Sequence, residues 1–147
     1  MEDFQAAIEE FNKSISISIE NGYLSNCAIG YIGKAYIYTK LKNTALAVVF
    51  TDKAMEISYK INDTLSIAEV YKIKGMIQSD LENFELSEEL FENSLRLNED
   101  LGSELNKAEG YNELSSLYKK IDQKDKAENI KQTASQYFEK IASKKKK

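Results

Sequence analysis

The sequence predicts an all-α protein of seven helices stacked as antiparallel pairs, and three observations predict it. No proline occurs among the 147 residues, so the commonest interrupter of long helices is missing. Residue types recur at an interval of 40, which points to a repeated structural unit. The segments between the recurrences carry residues suited to ending one helix and capping the next.

The interval is found by subtraction. Ala28, Ala68 and Ala108 fall in register, as do Tyr31, Tyr71 and Tyr111, and seven positions after each alanine stand Ala35, Gly75 and Ser115. Leu41, Leu81 and Ile121 follow in step. The second half of the unit repeats four times: Ala7, Ala47, Ser87 and Ala127 align, then Ser14, Ala54, Ser94 and Ala134, then Ile17, Ile57, Leu97 and Tyr137. Asp3, Asn43 and Asn83 precede these segments as N-cap types, because a short side-chain oxygen can accept from a first-turn N–H. Gln123 breaks that pattern. Asn21-Gly22, Asn62-Asp63 and Gly102-Ser103 supply the punctuation between units.

Helices are therefore expected near 3–20, 25–41, 44–61, 65–81, 84–101, 105–121 and 124–142. The helix at 3–20 is unpaired, and the pairs span about 25–61, 65–101 and 105–142. This gives about three and a half repeats in one domain, 1–143, followed by a basic tail, 144–147. The small residues Ala35 and Ala47, or Gly75 and Ser87, belong at helix crossings, where larger side chains would hold the backbones apart. Tyr31, Leu41, Ile57 and Ile61 would fill the space around them. One pair cannot bury its apolar face alone, so the units must stack.

Composition narrows the function. Twenty Lys and Arg stand against 24 Asp and Glu, a net charge of −4, unlike the basic excess of a nucleic-acid binder. No apolar run approaches the roughly 20 residues that span a bilayer. The acidic start, Met1-Glu2-Asp3, does not resemble a secretory signal, so a cytoplasmic location is expected, with neither nucleic acid nor membrane as partner. The single Cys27 cannot form an internal disulfide and reads as a small packing residue. Histidine is absent, removing the commonest general base and metal ligand, and no phosphate-binding glycine pattern occurs. Carboxylate runs such as Glu9-Glu10 and Glu88-Glu89 read as solvated helix faces. No catalytic residue, cofactor or metal is expected, and the chain is not expected to be an enzyme.

These residues resemble the tetratricopeptide repeat, whose pattern sets an aromatic, a small residue and a tyrosine before Ala-x-x-x-Phe. Here the pattern is carried by Tyr31, Ala35, Tyr38 and Ala47; by Tyr71, Gly75, Ser87 and Phe91; by Tyr111, Leu114, Ser115, Tyr118 and Ala127; and by a leading Ala7 with Phe11. Two departures stand out. The period is 40, longer than the family's usual one, and the family's proline position holds Ile19, Tyr59, Glu99 and Glu139. Both resemble an extended-repeat subclass found in peptide-sensing regulators, sensor-kinase repeat domains and polarity adaptors. The resemblance implies a right-handed α-solenoid that binds a protein or peptide in its concave groove.

Carried over position by position, the groove would comprise Ile29, Ile32, Gly33 and Tyr36; then Glu69, Lys72, Ile73 and Met76; then Glu109, Asn112, Glu113 and Ser116. It would begin apolar and end polar and acidic. Ile32 and Tyr36 stand where chaperone-tail binders carry Lys and Asn, which argues against a carboxylate clamp and for a basic or partly apolar peptide. Tyr36 and Met76 are the expected anchors, one rigid and one adaptable. Equally, Ile29, Ile32 and Tyr36 could pack against another helix or a second copy.

The ends differ. Phe4, Ile8, Phe11 and Ile15 form an apolar stripe on an unpaired helix, suggesting homo-oligomer contact there or through the groove. Lys131 and Ser135 give the last helix the polar face of a terminal cap, and Lys144 to Lys147 read as a frayed end. The expected function is a protein- or peptide-binding scaffold. The alternatives are a sensory repeat domain of a signalling protein and a self-assembling spacer.

Overall fold

Six linkers of near-identical construction set the architecture. The computed structural model describes residues 3–146 and contains α1 (Phe4–Asn21), α2 (Leu24–Lys40), α3 (Thr44–Lys60), α4 (Thr64–Asp80), α5 (Phe84–Leu101), α6 (Glu104–Lys120) and α7 (Lys124–Lys145). Each linker places one residue in the left-handed region: Gly22, Lys42, Asn62, Glu82, Gly102 and Asp122, at φ between 54° and 72°. The next residue's N–H then donates five residues back, as from Tyr23 to Ser18, Asn43 to Tyr38 and Gln123 to Tyr118. This closure satisfies carbonyls that the helix end leaves open and reverses the chain within three residues. The result is an all-α solenoid of antiparallel helix pairs.

The cap residues behave as the sequence predicts at Asp3 and Asn43, whose side chains accept from the Ala6 and Leu46 N–H groups. Asp63 does the same for Ser66. Asn83 does not cap; its amide donates instead to Gln78 Oε1 at 2.8 Å. Ser103 makes no side-chain cap bond either.

Packing follows the small residues. Ala35 and Ala47 are buried together with Ile73 and Ile77. At the next crossing Ser87 Oγ donates to the Gly75 carbonyl at 2.7 Å, and at the last Ser115 Oγ donates to the Ala127 carbonyl at 2.7 Å. The same contact is thus made twice with the serine on opposite helices. Each bond satisfies a hydroxyl that would be costly to bury unpaired. A Cβ on Gly75 would lie 2.7 Å from the Phe91 ring, so glycine is what admits the aromatic there. Cys27 is buried, as a packing residue should be.

Three expectations change. Leu41 remains about half exposed rather than filling the interior. The stripe on α1 is largely covered: Ile8 and Ile15 are buried, Phe4 and Phe11 half-buried, because Gly30 and Gly33 of α2 let Ile15 and Phe11 approach its backbone. The tail does not begin at 144. Helix α7 runs on to Lys145, with Lys140 and Lys144 paired to Glu104, while Lys147 lies outside the described residues. Those two lysine hydrogen bonds hold the Glu104 carboxyl down at about 2. No helix among the described residues is long and apolar enough to cross a membrane.

Candidate functional site

Helices α2, α4 and α6 adjoin in sequence along one side, whereas α1, α3, α5 and α7 have no Cα pairs within 8 Å of one another. The even-numbered helices therefore form the continuous inner wall and the odd-numbered ones splay outward. Register explains which side chains meet. Positions 29, 69 and 109, and likewise 32, 72 and 112, sit at equivalent points of successive inner helices.

A concavity of about 400 Å³ gathers Ile32, Gly33 and Tyr36 of α2, Glu69, Lys72 and Ile73 of α4, and Glu109, Asn112 and Glu113 of α6. Ile29 is not among its walls and stands 56% exposed. Ser116 and Met76 line a second hollow of about 270 Å³. Glu113 borders both, so the groove consists of two adjoining subsites.

The side chains differ in what they can offer a ligand. Tyr36 is 40% exposed and Asn112 is exposed. Ile73, only 1% exposed, belongs to the core beneath the groove. Met76 is buried against Phe91, Leu114 and Leu117, so it is a core residue rather than an adaptable anchor. Its neighbours Leu114 and Leu117 belong to α6, so this turn of α4 packs against the next pair.

Electrostatics centre on Lys72. Its ammonium lies 3.1 Å from Glu69 Oε2 and 3.1 Å from Glu109 Oε2. Burial pulls its pKa down, but the two carboxylates outweigh this and leave it above the ordinary lysine value. Glu69 Oε1 is buried without a hydrogen-bond partner. Glu113 is pushed above the usual carboxylate range by burial, with Lys40 and Lys72 opposing and Glu109 and Asp80 adding to it. The expected drift from apolar to acidic is thus tempered by a lysine already neutralised within the wall.

The second hollow holds residues that motif transfer overlooked: Thr39, Lys40, Ser79, Asp80 and Lys120. Lys42 and Lys120 both approach Asp80, at 2.8 and 3.7 Å, and Lys120 donates to the Ser79 carbonyl at 3.0 Å. The signal was present as Lys40, Asp80 and Lys120 at the same interval of 40, an alternation of charge at the ends of the inner helices.

Residues 68–101 match the family model described as tetratricopeptide repeat. No curated protein matches the chain in sequence. Among solved structures it resembles the crystal structure of BtubC (BKLC) from P. vanneervenii, with a TM-score of 0.71 and 19% identity. The likeness covers 95% of this chain and 58% of that one, so the chain spans little more than half of that protein's length. At this identity the likeness shows the fold. The matched repeat is the α4–α5 pair, and the helix pairs on either side of it have the same antiparallel arrangement.

Proposed function

We propose that the chain is a non-catalytic docking module that holds a segment of another protein along its concave groove. One observation carries the reading: nine of the transferred groove residues, Ile32 through Glu113, converge from three helices on a single hollow of about 400 Å³. Pockets of this size suit a few side chains of a peptide rather than a folded surface. Tetratricopeptide repeats as a family mediate protein–protein interaction, which supports the same use here.

The chemistry favours a segment rich in hydrogen-bond donors with one apolar or aromatic residue. Lys72, the lysine of the main hollow, already has two carboxylate partners, so that hollow has little free cation to offer an acidic ligand. The unpaired Glu69 Oε1 and the half-buried Glu113 are acceptors that a Lys, Arg or backbone N–H would satisfy. Ile32 and Tyr36 would meet the apolar residue.

The test is affinity capture from source-cell lysate with the native chain and a Tyr36→Ala/Asn112→Ala variant, identifying bound proteins by mass spectrometry. The expected result is a partner retained by the native chain and lost by the variant, with circular dichroism and melting temperature unchanged. A partner held equally by both chains would rule out this groove.

A further inference from the structure

The outer side of the solenoid carries an unfilled site. Between α3, α4 and α5 lies a hollow of about 300 Å³ walled by Val48, Ile77, Leu86 and Leu90. Val48 and Leu86 are each about two-fifths exposed. The internal repeat tells what such a hollow normally contains. One unit earlier, Tyr38 occupies the equivalent place and stacks on Phe50, ring centroids 5.6 Å apart. One unit later, Tyr118 is buried with Phe91 and Leu117, and its hydroxyl donates to Glu88.

In the central site each aromatic is replaced. Gln78 stands at the register of Tyr38 and Tyr118, Thr51 at that of Phe11 and Phe91, and Leu90 at that of Phe50. Gln78 does not reach across the gap; its amide oxygen accepts from Asn83 in the adjoining linker. Thr51 turns its hydroxyl back to the Ala47 carbonyl.

A cation remains without an aromatic partner. In the filled sites a lysine covers a ring: Lys34 lies 3.9 Å from the Phe50 centroid and Lys126 lies 4.2 Å from that of Tyr118. Lys74, at the register of Lys34, stands at the rim of the open hollow and meets only Asp52, at 3.9 Å. A lysine beside aliphatic walls is poised for a cation–π contact once a ring enters.

We propose that this hollow receives an aromatic side chain, tyrosine or phenylalanine, from a different protein docked on the outer face. The ring would restore the packing that Tyr38 and Tyr118 provide internally, with Lys74 over its face. A second copy is the poorer occupant, because an aromatic of one copy entering this hollow in another makes a head-to-tail contact that leads to open chains rather than a closed pair. The site is independent of the concave groove and shares no lining residue with its main hollow.

The test uses p-cresol, the tyrosine side chain as a free molecule, with isobutanol as an aliphatic comparator, followed by methyl NMR. Saturable shifts are expected at Val48, Leu86 and Leu90, with binding at least fivefold tighter than isobutanol. Gln78→Tyr should abolish them while raising the melting temperature, and Leu86→Lys, at an exposed position, should abolish them in a chain that still folds. No saturable shift in the native chain, equal affinity for isobutanol, or undiminished binding in both folded variants would each overturn the proposal. Sedimentation over a concentration series adds the last arm: open-ended self-association of the native chain, lost in Gln78→Tyr, would make a second copy the occupant and overturn the assignment to another protein.

Discussion

The outer sites of the central and C-terminal units are built on the same turn of helix, yet one is open and the other closed. Tyr118, Phe91 and Ile130 fill the space between α5, α6 and α7, and Lys126 and Glu88 seal its edge. Forty residues earlier, Gln78, Thr51 and Leu90 leave the hollow unoccupied although α3, α4 and α5 keep the same pairing. The backbone of the solenoid is therefore fixed by the small residues at the crossings and by the linkers. The outer aromatics are stabilising additions that one unit does without. A stack whose units support one another can leave a local hollow open, because neighbours on both sides hold the helices in place.

The sharpest way to break the comparison is to make the closed site like the open one. Tyr118→Gln removes a buried ring and should cost about 3 kcal/mol, read as a lowered urea midpoint. A loss below about 1 kcal/mol would mean that the aromatic is dispensable in both units.

Gly75 sharpens it at the crossing. Its counterparts Ala35 and Ser115 face Thr51 and Lys131 in register, whereas Gly75 faces Phe91. Gly75→Leu should therefore destabilise by about 1–3 kcal/mol through overpacking, and an unchanged urea midpoint would count against the close approach of the Phe91 ring.

A smaller effect is expected where the concave register changes from Ile73 to Glu113. Because burial raises the Glu113 pKa, the folded state holds that proton more tightly than the unfolded chain does. Stability from this group is greatest in acid and falls as pH rises through the raised value. Glu113→Gln should raise the melting temperature at pH 7 and lose that advantage as the pH approaches 4. An advantage independent of pH would show that charge is not its source.

The smallest shift is expected in the linkers. Glu82 holds the left-handed conformation that Gly22 and Gly102 adopt without strain. Relief of the Cβ clash is partly offset by the greater freedom of glycine in the unfolded chain, so Glu82→Gly should gain about 0.5 kcal/mol. Thermal melts of the two chains decide it; a net loss would mean that Glu82 makes a contact worth more than the strain.

The two kinds of site were not equally legible. The helices and their register follow from spacing alone, since Ala28, Ala68 and Ala108 can be aligned without knowing what they touch. The groove was readable where side chains project outward from that register, as at Tyr36 and Asn112. It was misread at Met76, because a helix position facing both the groove and the next pair is assigned by the volume of its neighbours, here Phe91. Asn83 failed in the same way: its amide had a competing partner in Gln78 that the cap pattern does not include.

The sequence by itself determined the seven helices, the interval of 40 and the crossings, because these depend on local backbone preferences and on residue size at fixed spacing. Only the tertiary structure decided that Glu69 Oε1 lacks a partner, that Lys72 is held between two carboxylates, and that the central outer hollow stays empty. Those depend on distances between side chains about 40 residues apart, which spacing aligns but cannot measure. A glutamine in place of a tyrosine can close a gap or leave it open, and the position of the neighbouring helices settles which.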